Sequence, residues 1–143
     1  MAETYEVVFQ RVAVGDLFTL LKTLEISSKS LSGLAVSENV GNLGLEGVDK
    51  GLIDAISACE ESVCLIEQLH GFRASEEICL PFALLRVIKY KDGVDVELSF
   101  EELQSFDICR VMLAMQMYSE ALSNRFSMSE YYGGLEPAVW SAN

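Results

Sequence analysis

Phe82 to Tyr90 (FALLRVIKY), the turn Lys91-Asp92-Gly93 and Val94 to Leu98 (VDVEL) place two apolar runs around an Asp-Gly pair. Asp and Gly are the residues that a tight reversal between paired strands favours. The predicted hairpin commits the chain to a sheet with antiparallel pairing, and the remaining segments must supply what covers it. At 143 residues, half of them hydrophobic and 22 % charged, one domain with one core is expected.

The covering elements are read from spacing. Thr4 to Val14 (TYEVVFQRVAV) is rich in β-branched and aromatic residues and predicts a first strand, ended at Gly15. Asp16 stands where a helix cap would, and Leu17, Leu20, Leu21 and Leu24 follow at helical spacing to about Ser28. Between 48 and 70 the residues Leu52, Ala55, Ile56, Cys59, Val63, Ile66 and Leu69 or His70 form a second helical stripe, with Gly71 as its stop. Ser99 and Glu102 have the spacing of a capping box, which opens a third helix to about Phe126. Its apolar residues, from Leu103 to Leu122, run nearly all the way round, as in a helix buried between layers or against another subunit. The expectation is an α+β fold, helices on a small antiparallel or mixed sheet, in the order β-α-α-β-β-α.

Two segments stand apart from this frame. Residues 27–47 hold four glycines and five serines and read as a long loop or a loosely ordered strand pair, a candidate binding loop. Residues 127–143 hold Tyr131, Tyr132 and the only tryptophan, Trp140, and read as a C-terminal tail.

Catalytic and metal chemistry lack their usual residues. A serine or cysteine nucleophile needs a base, and the one histidine, His70, falls at an expected helix end where it would complement exposed carbonyls. Cys59 and Cys64, if on one helix, would point about 140 degrees apart and could not share an ion. Cys59, Cys64, Cys79 and Cys109 all lie among apolar residues and read as reduced thiols. The glycines at 41, 44 and 47 imitate a phosphate loop without the strand, helix and lysine it requires. Adjacent carboxylates such as Glu60-Glu61 and Glu101-Glu102 point apart on a helix and read as a solvated face. No catalytic residue, metal or cofactor is expected, and the chain is read as non-enzymatic.

Charge is the feature that carries function. Asp and Glu outnumber Lys and Arg by 22 to 10, a net charge of -12 that repels nucleic-acid backbones and anionic lipid. Met1 to Gln10 has no basic leader pattern, and Val111 to Tyr118 is far shorter than the roughly 20 residues of a membrane helix, so a cytoplasmic protein is expected. Nine acids lie between Glu38 and Glu77 against two cations, and six lie between Asp92 and Asp107 against none. With the second helix and the hairpin on one side, Asp54, Glu60, Glu61, Glu67, Asp92, Asp95 and Glu97 would form a partner-binding surface for a basic protein.

In size, acidity and lack of an active site the chain is similar to bacterial immunity proteins, which neutralise toxic nucleases. The expected function is therefore an acidic binding or inhibitor protein. Two alternatives stay open: an inhibitor whose carboxylates mimic nucleic-acid phosphates, and a homo-oligomeric scaffold or small-ligand binder joined through the 103–122 helix with its Met-rich stretch.

Overall fold

The computed structural model describes residues 3–37 and 47–136. Their elements are β1 (Thr4–Gln10), α1 (Val14–Ile26), β2 (Ser30–Val36), α2 (Lys50–Ala58), β3 (Val63–Arg73), β4 (Cys79–Tyr90), β5 (Gly93–Glu101), α3 (Ile108–Arg125) and β6 (Glu130–Leu135). Six strands form one antiparallel sheet in the order β2-β3-β4-β5-β1-β6, accompanied by three helices. The α+β class and the antiparallel sheet hold. The expected order β-α-α-β-β-α does not; it is β-α-β-α-β-β-β-α-β.

The hairpin is β4-β5, closed by Lys91 and Asp92 between the paired Tyr90 and Gly93. A Cβ at Gly93 would make a tight contact, 3.1 Å from the Tyr90 hydroxyl. β1 stops four residues earlier than expected, where Arg11 takes a left-handed backbone (φ 52) and its N–H donates to Asp95 Oδ1 at 2.9 Å. α1 starts without a side-chain cap. Asp16 lies inside its first turn, and its carboxylate accepts the Ser127 N–H at 2.9 Å.

The main correction concerns 48–70. Asp49 caps α2 by accepting the Leu52 N–H at 2.7 Å, but the helix ends at Ala58 and the chain turns into β3. Val63, Leu65, Glu67 and Leu69 point to one face and are buried. A carboxylate at the third of these positions hides the alternation and leaves a stripe that also fits a helix. Pairing with β2 on one side and β4 on the other decides for the strand. Gly71, the expected helix stop, lies inside β3 with φ +66.

Edge strands account for the other differences. β2 occupies the first part of the expected 27–47 loop, and Gly33 (φ +66) sits at a register shift between Ser32 and Ala35. β6 occupies part of the expected tail and pairs with β1. The expected capping box dissolves because Ser99 to Glu101 extend β5 against Thr4 to Glu6 of β1. α3 is instead capped by Asp107, which accepts the Cys109 N–H at 2.9 Å. Glu38, Glu46, the glycines at 41 and 44, and Trp140 lie outside the described residues.

All three helices cover one face. Leu65, Leu69, Leu85, Val87, Val96, Leu98 and Phe9 are fully buried on it, against Leu17, Leu20, Leu21 and Leu24 of α1, Ile53 and Ile56 of α2, and Val111, Met115 and Leu122 of α3. Each fully buried side chain of this kind contributes about 1.5–3 kcal/mol. A T-shaped Phe72–Tyr118 contact and the 2.7 Å Ser27–Tyr118 hydroxyl bond tie β3, α3 and α1 together. The opposite face of the sheet carries no helix among the described residues.

Candidate partner-binding surface

Cross-strand register arranges the open face in rows. One row runs Ile66, Arg86, Glu97, Val8, Tyr132 across β3, β4, β5, β1 and β6; the next runs Gln68, Leu84, Ser99, Glu6, Gly134. Beside them lie Cys64, Ile88 and Asp95. Pairing of β1 with β5, and of β6 with β1, therefore brings Glu6 and Glu130 to the side of the sheet that holds Asp95 and Glu97. β5, β1 and β6 together carry Glu6, Asp95, Glu97, Glu101 and Glu130 and not one Lys or Arg.

These carboxylates are held in place. Asp95 Oδ1 accepts from the Arg11 N–H at 2.9 Å and from the Tyr90 hydroxyl at 3.0 Å. Arg86 reaches over from β4, and its Nη1 donates to Glu97 Oε1 at 3.0 Å, with both side chains largely buried. Partial burial and the neighbouring Glu6 raise the Glu97 carboxyl above its ordinary range, with Arg86 opposing. The Tyr132 phenol is raised likewise, first by burial and then by Asp95, Glu6, Glu97 and Glu130. A common negative field acts on this half of the sheet.

The acids singled out from the sequence divide into three groups. Asp95 and Glu97 lie on the open face. Glu60, Glu61 and Asp92 are exposed at one end of the sheet, since Val63 at the start of β3 pairs with Lys89 beside the hairpin turn. Lys89 Nζ fastens that end by donating to the carbonyls of Cys59 (3.1 Å) and Tyr90 (2.9 Å). Asp54 is exposed on α2, 3.6 Å from Lys50 Nζ. Glu67, expected on the partner-binding surface, is fully buried under the helices and is removed from the surface by its strand position. Glu6 and Glu130 were not singled out, because nothing local in the sequence says that β1 and β6 flank one another.

Glu67 faces Glu25 of α1. Glu25 accepts the Val48 N–H at 2.9 Å through Oε2 and pairs with Lys22 Nζ at 3.0 Å through Oε1. Burial, then the hydrogen bond with and charge of Glu25, push the Glu67 carboxyl up to about 9, with Lys22 opposing. Glu67 is thus held as the neutral acid at pH 7.

His70 is a strand residue on the open face and caps no helix. Its Nε2 lies 2.7 Å from Ser32 Oγ, whose single proton goes to Gln68 Oε1 at 3.0 Å. Cys59 ends α2 while Cys64 lies on β3, so they do not share a helix. All four thiols are free. Among the described residues no three His, Cys, Asp or Glu side chains gather as a metal site, and no helix is long and apolar enough to cross a membrane.

α3 also carries exposed apolar surface. Leu113 and Met117 are 57 % and 63 % exposed, and a groove of about 690 Å³ lies between this helix and β6, lined by Cys109, Met112, Leu113, Gln116, Tyr131 and Gly133. The ring of apolar residues read from the sequence is thus covered on one side only.

A family model described as PABL017 Cdi1I immunity protein matches residues 3–140. The chain is also similar to a chain in a crystal structure of the toxic C-terminal tip of CdiA from Pseudomonas aeruginosa in complex with immune protein. The TM-score is 0.89 at 35 % identity, over 96 % of this chain and 89 % of that one. No curated protein matches.

Proposed function

Since the chain belongs to the PABL017 Cdi1I immunity protein family, we propose that it neutralises a CdiA toxin tip by covering a basic surface of the toxin with its acidic sheet face. Binding is all that neutralisation requires. The observation that carries this reading is the composition of β5, β1 and β6, which hold no cation and present Asp95, Glu97, Glu101 and Glu130 around the buried Glu6, continued at the sheet end by Asp92, Glu60 and Glu61. A toxin that acts on nucleic acid has a cationic groove for phosphates, and such a groove is the complement of this face. Asp95 and Glu97 are the fixed centre of the surface, and Asp54 lies at its margin.

The test is association of the purified CdiA tip of the chain's own strain, followed by biolayer interferometry at low and moderate salt. Exposed charges at an interface mainly steer the encounter, so the combined changes Glu60→Lys, Glu61→Lys, Asp92→Lys and Glu101→Lys should slow association about tenfold or more at low salt. The salt dependence should flatten with it. Association that keeps the wild-type rate and salt dependence in the variant would refute the acidic-face reading.

A further inference from the structure

We propose that the free edge of β6, with the groove beside it, receives an extended cationic segment of the toxin tip as a seventh strand of the sheet. The inference rests on the toxin-binding reading above and names where the tip is anchored.

β6 is the last strand of the sheet, paired only with β1 among the described residues. The Glu136 N–H donates to the Thr4 carbonyl at 2.9 Å, and the register pairs Tyr5 with Leu135. Antiparallel alternation then turns the backbone groups of Glu130, Tyr132 and Gly134 towards β1. Those of Tyr131, Gly133 and Leu135 face outward, a row of donors and acceptors that another strand can pair with. Natural edges of this kind are commonly blunted by Lys, Pro or a bulge; β6, with the sequence EYYGGL, has no Lys or Pro, and its pairing with β1 has no register shift. The opposite edge, β2, is interrupted at Gly33.

The groove lies directly inside this edge. Its floor is bare at Gly133, where a Cβ would come within 3.2 Å of the Glu6 carbonyl and 3.4 Å of Met112 Cε. Leu113 and Met112 offer apolar contact to a side chain entering from an added strand, since alternate residues of that strand would point into the groove. Charge selects the occupant. Glu130 opens β6, Glu136 follows it, and the neighbouring β1 and β5 add acids only. Arg110, a cation of α3, is held by Glu77. A segment with alternating apolar and Lys or Arg side chains fits both the groove and the field.

Surface plasmon resonance with the purified tip, and amide exchange followed by NMR on this chain alone and in the complex, test the proposal. Leu113→Lys with Gln116→Lys puts cations at two exposed helix positions, and Leu135→Pro deletes an N–H that the alternation turns away from β1. Each variant should speed dissociation about tenfold or more while association changes little, the opposite of the sheet-end charge variants. The Gly133 and Leu135 amides should exchange freely in the free protein and be protected in the complex. If Leu135→Pro does not fold, the helix variant and the exchange data decide. Wild-type binding with unchanged dissociation in the helix variant and unprotected amides in the complex would overturn the anchoring site and leave toxin binding intact. Absence of any binding by the wild type would instead refute toxin binding itself, and the anchor with it. A wild-type dimer by light scattering, with these amides protected in the absence of toxin, would assign the edge to a second copy and also overturn the proposal.

Discussion

Glu67→Gln should make the protein more stable at neutral pH, and the gain should grow with pH. Glu67 is fully buried on β3 opposite Glu25, and its carboxyl is pushed from 4.5 up to about 9, chiefly by burial and then by Glu25. In the unfolded chain it titrates near 4.5. Between these two values the folded state holds a proton that the unfolded state has released, so stability falls as pH rises through the window. The limiting slope is about 1.4 kcal/mol per pH unit. At pH 7, some 2.5 units above the unfolded value, the cost is about 3 kcal/mol as an upper bound, reduced by any relaxation around the carboxyl. Glutamine has the shape of the neutral acid and has no proton to acquire. Urea unfolding of both proteins from pH 5 to 8.5 would measure the difference directly, because every other titrating group is common to the two. The variant should gain little at pH 5 and about 2–3 kcal/mol at pH 7 to 8. A difference that stays constant across this range would show that Glu67 is ionised in the fold and would refute the reasoning.

Two further substitutions probe the elements that position the binding surface. Gly71→Ala puts a side chain at φ +66, where its Cβ would lie 2.9 Å from Lys29 Cδ, and should destabilise by about 1–3 kcal/mol in denaturant unfolding. Asp107→Ala removes the cap of α3 and should cost about 1 kcal/mol, read as a lower melting temperature with the antiparallel-sheet circular dichroism retained.

Local chemistry made some elements legible. The β4-β5 hairpin, the strand β1 and the α1 stripe of Leu17, Leu20, Leu21 and Leu24 are each set by residues close together in the chain, and the acidity needs only counting. From these the α+β class and a binding role follow. The β6 strand is not legible in the sequence, and the bulged edge β2 is legible only as a loop or loosely ordered strand pair, because each owes its conformation to a partner strand distant in sequence. The end of the expected second helix failed for a related reason: a buried Glu67 looks like a polar face until Glu25 is placed opposite it.

The surface itself shows the same division. Composition and spacing determined that the chain is acidic, that its acids cluster in and around β5, and that the usual catalytic and metal patterns are missing. Only the sheet order decided which acids act together, bringing Glu6 and Glu130 to Asp95 and Glu97, sending Glu67 inside, and leaving β6 at an edge. Hydrogen bonds between distant strands set those neighbours, and no periodicity along one strand records which strand will lie beside it.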